Sequence, residues 1–543
     1  MFRALIALTS VCVVHVGIVE SAETNPPSAV AAKPDFRKSK WDQMSPEEYL
    51  RSHEHRRHAP GAPEAVERRY YERRLRSELE EVFNYLPARS QVDQAWTVML
   101  LKQGLISKET AVKLLTALEG ADQQKGYGGE YWLKQRLDGD EDTASAVNLG
   151  RTLQEPMSRL MLRRKLMHVL ELTLESLETT LEVADGNTET VMAGQTHLSH
   201  AQPTTYAAYL LSVHDGLFRG LEQLELAYKH TNENSAGCGA LAGTGWPVDR
   251  QMVTELLGFD SLVEPTYDCE GGQDHALTIL FALTNIATLL SRTAMDHNIW
   301  SMEEIRMIKV PGRWCGVSSL MPQKAIPGSQ LERIRIDACN VIGETVTGVV
   351  ACKGEPHGDM LPIYEGYRGA LRGLCHAERA LGNYFSILPA IEPDKERMLH
   401  LAREGFSATP DLAVKLIRDK GYGSRRAHRI CSTFVRIARE RGIKPYETAG
   451  ELLDEAARIV EEEPPRLSTE EVRGCLDPVQ FIKRHNNLGD PAPEESRRMI
   501  RLRRESLAKA KGRHAERVAR IEAADQRLNA EVAAIVGQDG RNE

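Results

Sequence analysis

Apolar residues recur every three or four positions along long stretches of this chain, and no other feature limits its fold more. Two such series each mark one helix face: Leu166, Leu170, Leu174, Leu177 and Leu181, then Leu210, Val213, Leu217, Leu221 and Leu224. Residues 276–290 are apolar nearly all round, as in a helix surrounded by other helices, while their threonines argue against a membrane span. Aromatic residues make up only 6% of the chain, which argues against a sheet-rich fold. The pattern predicts an all-α protein built on a bundle of long helices.

Shifts in composition divide the chain into predicted segments. Prolines interrupt a polar, basic stretch near the start, shorter helical patterns begin after residue 390, and an Arg- and Glu-rich stretch follows residue 490. The predicted organisation is a signal peptide (1–22), a linker (23–63), an N-terminal helical domain (64–150), a central long-helix bundle (151–390), a C-terminal helical domain (391–490) and a C-terminal helical extension (491–543). The extension is predicted to be a mostly solvated helix, with a short coiled coil or an arm docked on a partner subunit as alternatives.

The first 22 residues combine a basic start, an apolar stretch and small residues before Ala22, a pattern typical of a secretory signal peptide. They predict a secreted or periplasmic protein without stable membrane insertion after cleavage. The alternatives are an uncleaved anchor, or a true start at Met44 and a cytoplasmic location. Eight cysteines follow the leader without a CxxC pair, and their wide scatter favours buried thiols over a disulfide framework, which conflicts with export.

Charge and composition also bear on partners. The chain has 69 basic and 77 acidic residues and a net charge of -8, which predicts no bulk affinity for nucleic acid. A helix that is apolar all round indicates neighbours from other subunits, so we expect an oligomer. His53, His55 and His58 lie close together, but they lack accompanying cysteines or a fixed carboxylate. We predict neither a metal site nor a cofactor.

The stretch from Gly316 to Lys324 places two hydroxyls, Ser318 and Ser319, and one ammonium on a segment punctuated by glycine and proline. A serine acts as a base only when its alkoxide is stabilised by a cation or by oriented N–H groups, and Lys324 can supply the cation. The segment is therefore either a mobile lid over an active site or a surface turn between two helices.

Two further segments carry side chains suited to the same chemistry. In residues 194–203, where we expect a helix to begin or end, His197 can exchange protons near neutral pH, and Thr196 and Gln202 can bind a carboxylate or orient the ring. A lone histidine is also often structural. Residues 235–250 are rich in glycine, but no strand precedes them and no Gly-Lys-Thr sequence ends them, so nucleotide binding is not expected.

Together these three segments resemble the fumarase/aspartase superfamily of lyases, and within it the argininosuccinate lyase branch. The similar sequences are Gly-Val-Ser-Ser-Leu-Met-Pro-Gln-Lys at 316–324, Thr-His-Leu-Ser-His-Ala-Gln-Pro at 196–203, and Gly-Ala-Leu-Ala-Gly-Thr at 239–244 followed by Pro-Val-Asp-Arg at 247–250. The resemblance covers residues 64–500. It implies the three-domain all-α fold of that superfamily and a homotetramer whose active sites combine segments of three subunits.

The resemblance also implies a reaction and a set of roles. Members of the family remove a proton beside a carboxylate of a succinyl group, pass through a carboxylate dianion and expel an amine or hydroxyl to leave fumarate. By resemblance, Ser318 is the base and His197 the acid or its relay. The implied substrate-binding residues are Lys324, Ser319, Thr196, Gln202, Arg151, Thr152 and Gln154. The implied partner is a small-molecule dicarboxylate.

Several positions depart from the family pattern. Ile326 replaces an asparagine that donates to the substrate carboxylate, Val317 replaces a glycine, and Leu153 replaces an arginine. The glutamate that supports the histidine falls at Leu331, with Glu332 one residue later and therefore about 100° further round a helix. The expected substrate clamps become Asp359-Met360-Leu361 and Tyr364-Glu365-Gly366-Tyr367.

Two hypotheses from different classes follow. The first is a carbon–nitrogen lyase acting on argininosuccinate, or on another N-substituted aspartate, to release fumarate. The second is a non-catalytic scaffold or binding protein that keeps the bundle without the chemistry, because sites rather than folds determine function. The retained serines, lysine and histidine favour the enzyme.

Overall fold

The protein is described by a computed structural model that covers residues 83–152, 156–311, 314–321, 325–326 and 328–537. Helices dominate these residues and the strands are short, so the predicted all-α class is confirmed. The predicted signal peptide and linker lie outside the described residues, as do the clustered histidines at 53–58.

Within residues 83–152, four α-helices precede the bundle: α1 (Leu86–Lys102), α2 (Lys108–Ala117), α3 (Glu130–Arg136) and α4 (Glu141–Ala146). Two begin at side-chain caps, because Ser107 accepts from the N–H of Thr110 and Asp140 accepts from the N–H of Thr143. Trp96 of α1 is fully buried and joins the main hydrophobic core.

Five long helices form the bundle and close a ring in chain order. They are α5 (Met157–Asp185), α6 (Tyr206–Thr231), α9 (Asp274–Trp300), α10 (Ser329–Cys352) and α11 (Met360–Ile387). Each packs against the next, and α11 returns to α5. Every residue of the two predicted leucine-rich series is buried, so these helix predictions are confirmed. Glycines allow close helix contact, since a Cβ at Gly220 of α6 would lie 2.4 Å from the side chain of Ile286 on α9.

Helix α9 is the one helix among the described residues that is long and apolar enough to cross a membrane. In this chain it packs against α6, α10 and α11 as a core helix. Its burial is one-sided rather than complete, because Phe281 and Met295 are 53% and 42% exposed.

One buried carboxylate connects two helices of the ring. Glu378 of α11 has only 1% of its side chain exposed and lies 3.2 Å from Lys165 Nζ and 3.1 Å from His168 Nε2 on α5. Glu171 lies 3.3 Å from the other ring nitrogen of His168. The hydrogen bond with Glu171 and then the nearby Glu378 carboxylate raise the pKa of His168 to about 9, so the imidazole is protonated at neutral pH.

Short elements connect the long helices. They are the hairpin β1 (Val191–Thr196) and β2 (Ser199–Thr205), the parallel pair β3 (Glu233–Asn234) and β4 (Ser261–Leu262), the helices α7 (Arg250–Leu256) and α8 (Thr266–Gly271), the hairpin β6 (Gly316–Val317) and β7 (Ala325–Ile326), and the antiparallel pair β5 (Ile308–Lys309) and β8 (Glu392–Pro393).

Six helices lie between the bundle and the terminal helix, and the middle four of them build a smaller second core. The six are α12 (Lys395–Glu404), α13 (Thr409–Lys420), α14 (Ser424–Glu440), α15 (Gly450–Ile459), α16 (Thr469–Leu476) and α17 (Pro478–Arg484). Apolar side chains between residues 412 and 476 form this core, with Phe434 fully buried.

The terminal helix α18 (Pro493–Val536) packs along the chain's own helices α1, α2, α5, α6 and α7. Most of its surface is exposed, and Met499, Ile500, Leu507 and Leu528 are buried. Its basic side chains pair with acidic ones on the bundle: Arg497–Glu189, Arg503–Asp215, Arg504–Asp185, Lys511–Glu178, Arg513–Glu225, Arg517–Glu225, Arg520–Asp260 and Arg527–Glu255. We call this set the α18 ion pairs.

Candidate active site

His197 lies at the tip of the β1–β2 hairpin and not at a helix end as expected from the sequence. Thr196 pairs with Ser199, which leaves His197 and Leu198 as a two-residue turn. Their φ angles are 53° and 56°, in the left-handed region that tight hairpin turns require. A side chain held there costs on the order of 1 kcal/mol, and such strain is concentrated at functional sites. Thr196 and His197 are both exposed, so this turn presents its polar groups to solvent.

The base of this hairpin is fixed by close packing. A Cβ at Gly194 would lie 2.5 Å from the carbonyl oxygen of Gln202 on the opposite strand, next to a register shift between Ala193 and Gln195. Val191 packs with Phe481 and other residues of the C-terminal helices. The position of His197 is therefore set by side chains almost 300 residues away in the chain.

The predicted substrate ligand Gln202 lines a surface cavity of about 550 Å³ between the hairpin and the C-terminal helices. On the other side of the cavity, Asp411 accepts from Arg484 Nε at 2.7 Å and lies 2.9 Å from His485 Nε2. The charges of this cavity are therefore largely paired with one another. Gln202 keeps its substrate role only as a prediction.

The serine segment is a short hairpin loop. Gly316 and Val317 pair with Ile326 and Ala325, so the strands enclose the residues between 317 and 325. The Oγ of Ser318 accepts from the backbone N–H of Met321 at 3.0 Å and from that of Leu320 at 3.4 Å. Hydrogen bonds that an oxygen accepts are stronger when it is charged, so these two donors favour the alkoxide.

The neighbours of Ser318 are more exposed. Ser318 is half-buried, whereas Ser319 is exposed and Leu320 is 82% exposed. Lys324, the predicted cation, lies outside the described residues. The mobile lid and the surface turn both stay predictions.

Arg151 is buried, although the sequence suggested a substrate ligand. Its Nε donates to the carbonyl of Val147 at 3.1 Å, its Nη2 pairs with buried Asp93, and its guanidinium lies 5.6 Å from the ring centroid of Trp96. A role in binding substrate stays a prediction, and it requires the guanidinium to leave these partners. Thr152 is half-buried, and Leu153 and Gln154 lie outside the described residues.

The glycine-rich segment 235–250 packs beside Arg151. A Cβ at Gly150 would lie 3.0 Å from Val248, and a Cβ at Gly237 would meet Arg250 and Trp96. The Pro-Val-Asp-Arg sequence supports this packing: Asp249 caps α7, and Arg250 donates to the carbonyls of Ala236 and Val263 at 2.7 and 2.8 Å. We assign these two residues structural roles that the sequence did not reveal.

The departures noted in the sequence have visible consequences. Leu331 is 1% exposed and points into the core, while Glu332 is exposed on the next position of α10, as the 100° offset predicts. Tyr367 donates to the carbonyl of Gly272 at 2.9 Å, and burial raises the pKa of its hydroxyl. Glu365 pairs with Arg372 at 2.8 Å. Tyr367 and Glu365 thus contact the protein's own helices and the segment before α9.

Those predicted site residues that the structure describes lie on three separate segments of the chain. Thr196, His197 and Gln202 share one hairpin, Ser318 and Ser319 share another, and Arg151 and Thr152 lie beside the glycine-rich segment. In the described part of the chain, no hydrogen bond or ion pair links the hairpin of His197 with that of Ser318. The described residues also contain no group of three or more His, Cys, Asp or Glu that could hold a metal ion.

Comparison with known proteins gives consistent relatives. A family model described as "Lyase" matches residues 130–343. Argininosuccinate lyase of Methanothrix thermoacetophila is 31% identical over 457 residues, which cover 80% of this chain and 91% of the relative. The enzyme of the same name from Methanocaldococcus jannaschii is 30% identical over 433 residues, covering 76% of this chain and 87% of the relative.

Solved structures agree with these relatives. EDDS lyase in complex with formate has a TM-score of 0.80 and 27% identity, covering 89% of this chain and 97% of that chain. An EDDS lyase variant with bound fumarate has a TM-score of 0.81 and 28% identity, covering 89% and 98%. Class II fumarase from Schistosoma mansoni, at 16% identity and a TM-score of 0.61 over 74% of this chain and 91% of that chain, shares the fold alone.

Proposed function

The chain belongs to the argininosuccinate lyase family of the fumarase/aspartase superfamily, and we propose that it is a carbon–nitrogen lyase that releases fumarate from an N-substituted aspartate. The proposed substrate is argininosuccinate, and the products are arginine and fumarate. The observation that carries this proposal is the pair of backbone N–H groups aimed at Ser318 Oγ. They provide what a serine base requires, namely stabilisation of its alkoxide.

The proposed reaction is a β-elimination. The Ser318 alkoxide takes the proton beside the substrate carboxylate, and Lys324 and Ser319 stabilise the resulting dianion. His197 protonates the leaving nitrogen directly or through a relay, as its exposed position at a hairpin tip allows. Thr196, Gln202, Arg151, Thr152 and Gln154 are proposed to bind the rest of the substrate.

We further propose a homotetramer in which different subunits supply these segments. Support comes from helix α10, where the exposed apolar side chains Ile336, Val346 and Val350 are each more than half exposed. Phe281 and Met295 extend the apolar surface on α9. Apolar surface of this kind marks subunit contacts. Val346→Glu should lower both the mass of the assembly and its activity, and an active monomer would contradict the tetramer.

Fumarate formation tests the activity. Purified protein is incubated with argininosuccinate and with other N-substituted aspartates, and fumarate is followed at about 240 nm as its conjugated double bond forms. Ser318→Ala should lower kcat by several orders of magnitude and leave folding unchanged, because only the base is removed. Ser319→Ala is the matched control and should lower activity less. Absence of fumarate from every substrate would instead favour the non-catalytic scaffold.

The location of the protein is a separate proposal. A cleaved leader gives a secreted or periplasmic protein beginning near Ala22, and a cytoplasmic protein keeps Met1 or begins at Met44. N-terminal sequencing of protein from the native host distinguishes these outcomes.

A further inference from the structure

Two buried cysteines meet where the glycine-rich segment begins. Cys238 is fully buried, Cys269 on α8 is 9% exposed, and together with Val263 they form a small hydrophobic cluster. Both are free thiols in this structure. They are 31 positions apart in the sequence, so the fold and not the chain brings them together.

Polar groups beside these sulfurs suit thiol chemistry rather than simple core packing. Arg250 Nη2 lies 3.2 Å from Cys269 Sγ, and Cys238 Sγ lies 3.4 Å from a carboxylate oxygen of Glu270. The neighbouring Cys238, and then the charge of Arg250, lower the pKa of Cys269 despite its burial. One thiol therefore has a cation that favours its thiolate, and the other has a carboxylate that can take its proton.

A second pair of buried cysteines provides a contrast. Cys431 and Cys475 also lie in one core, that of the C-terminal helices. Burial and then the neighbouring Cys475 raise the pKa of Cys431 to about 12, and burial raises the pKa of Cys475. These thiols behave as apolar side chains, so proximity of two sulfurs alone does not create a reactive pair.

We propose that Cys238 and Cys269 are a redox-active pair that forms an intrachain disulfide on reaction with a low-molecular-weight disulfide. The inference is independent of the proposed lyase activity. Nothing in the catalytic scheme uses either sulfur, and both thiols lie outside the hairpins of His197 and Ser318.

The reaction balances as two thiol–disulfide exchanges. The Cys269 thiolate attacks one sulfur of oxidised glutathione, forms a mixed disulfide and releases one glutathione thiolate. Glu270 then accepts the proton of Cys238, whose sulfur attacks the Cys269 sulfur and expels the second glutathione thiolate. The protein loses two electrons and two protons, and one molecule of oxidised glutathione becomes two of the reduced form.

The disulfide would link α8 covalently to the residue at which the exposed segment 240–247 begins. Residues 240–247 are mostly exposed, whereas Ser235 to Cys238 are buried and the carbonyl of Cys238 accepts from Gly243 N–H at 2.7 Å. Linking Cys238 to α8 closes the chain between residues 238 and 269 and restricts its unfolded states. The oxidised protein should therefore resist local opening of this segment better than the reduced protein.

Mass spectrometry tests the pair directly in the full chain. The protein is equilibrated at pH 7 in buffers of increasing oxidised-to-reduced glutathione ratio, quenched in acid, alkylated and digested with trypsin without reduction. The two cysteines lie in different tryptic peptides, residues 230–250 and 251–292. We expect these peptides to become linked, with a linked fraction at least about tenfold greater than that of the Cys431–Cys475 pair.

Variants and outcomes complete the test. Cys238→Ser should leave Cys269 as a glutathione adduct, and Cys269→Ser should leave Cys238 unmodified, whereas Cys339→Ser, which removes an exposed thiol, should not change the link. The proposal is overturned if both thiols stay reduced at ratios that modify Cys339. It is also overturned if the wild-type protein stops at a Cys269 adduct, or if Cys431 and Cys475 link first. The wild-type digest detects the link itself, so the test holds even where a variant fails to fold.

Discussion

Glu225 should be the most important member of the α18 ion pairs. Its carboxylate receives Arg513 and Arg517, each at 2.9 Å, and only 14% of its side chain is exposed. Arg517 is equally buried, and its guanidinium lies 5.0 Å from the ring centroid of Tyr228. Glu225→Ala therefore leaves a largely buried guanidinium without its carboxylate. Burial alone would raise the pKa of Glu225, but the two arginines lower it overall.

The cost follows from burial. Hydrogen bonds to charged groups contribute about 1.5–3 kcal/mol each, so we expect Glu225→Ala to weaken the attachment of α18 to the bundle by about 2–3 kcal/mol. The matched control is Glu178→Ala, whose partner Lys511 lies at 2.6 Å but with 51% of the Glu178 side chain exposed. An exposed pair of this kind is worth about 0.2–1 kcal/mol. Because Glu225 has a lowered pKa, its contribution is present above the unfolded pKa of about 4.3 and is lost as the pH falls through the folded value.

Limited proteolysis is the sharpest assay. If α18 is cleaved from a locally opened state, lowering the free energy of that opening by about 2–3 kcal/mol raises the cleavage rate about 30- to 150-fold. The same loss of stability moves the midpoint of thermal unfolding by only about 2–3 °C in a chain of this length. Trypsin digestion at about pH 7.5, followed by gel electrophoresis, should show rapid loss of α18 in Glu225→Ala and less than about fivefold acceleration in Glu178→Ala. Equal acceleration in both variants, or none in Glu225→Ala, would refute the argument from burial.

Three further changes test other parts of the structure. The two glutamate neighbours of His168 raise its pKa to about 9, so its contribution to stability is complete below pH ~6.5 and is lost as the pH rises through 9. His168→Gln should remove up to about 3 kcal/mol of this pH-dependent stability. Thermal midpoints of both proteins from about pH 6 to 10 measure the difference. The new Cβ of Gly194→Ala must displace the Gln202 carbonyl, so the free energy of unfolding should fall by about 1–3 kcal/mol. Fumarate production should fall at least about tenfold, and unchanged kinetics would contradict the role of the hairpin base. Asp93→Ala leaves the Arg151 guanidinium buried without its carboxylate and should destabilise by about 3–5 kcal/mol in urea unfolding, while Asp93→Asn should cost less.

The sequence predicted the parts of the fold that depend on local periodicity. The leucine series at 166–181 and 210–224 repeat at helical spacing, and burial of that face is what stabilises α5 and α6. The resemblance to a known family predicted Ser318 as the base. The structure adds two N–H groups that donate to its oxygen.

Long-range contacts could not be predicted in the same way. The hairpin of His197 has no Asn-Gly or other glycine turn to mark it, because non-glycine residues occupy both left-handed positions. Its strands are stabilised by Phe481, far along the chain. Similarly, Arg151 looks like a free cation in the sequence because Asp93, its partner, is 58 residues away. The β-branched residues at both ends of the segment 191–205 were the available hint of strands.

Helix α18 is synthesised much later than the acidic side chains with which it pairs. Its acidic partners lie between residues 178 and 260, whereas α18 begins at Pro493. During synthesis from the N-terminus, those carboxylates stand without their arginines while more than 200 further residues are added. Since like charges repel, we expect these hydrated carboxylates to oppose association between incomplete bundles. The same carboxylates would then bind α18 once it is made.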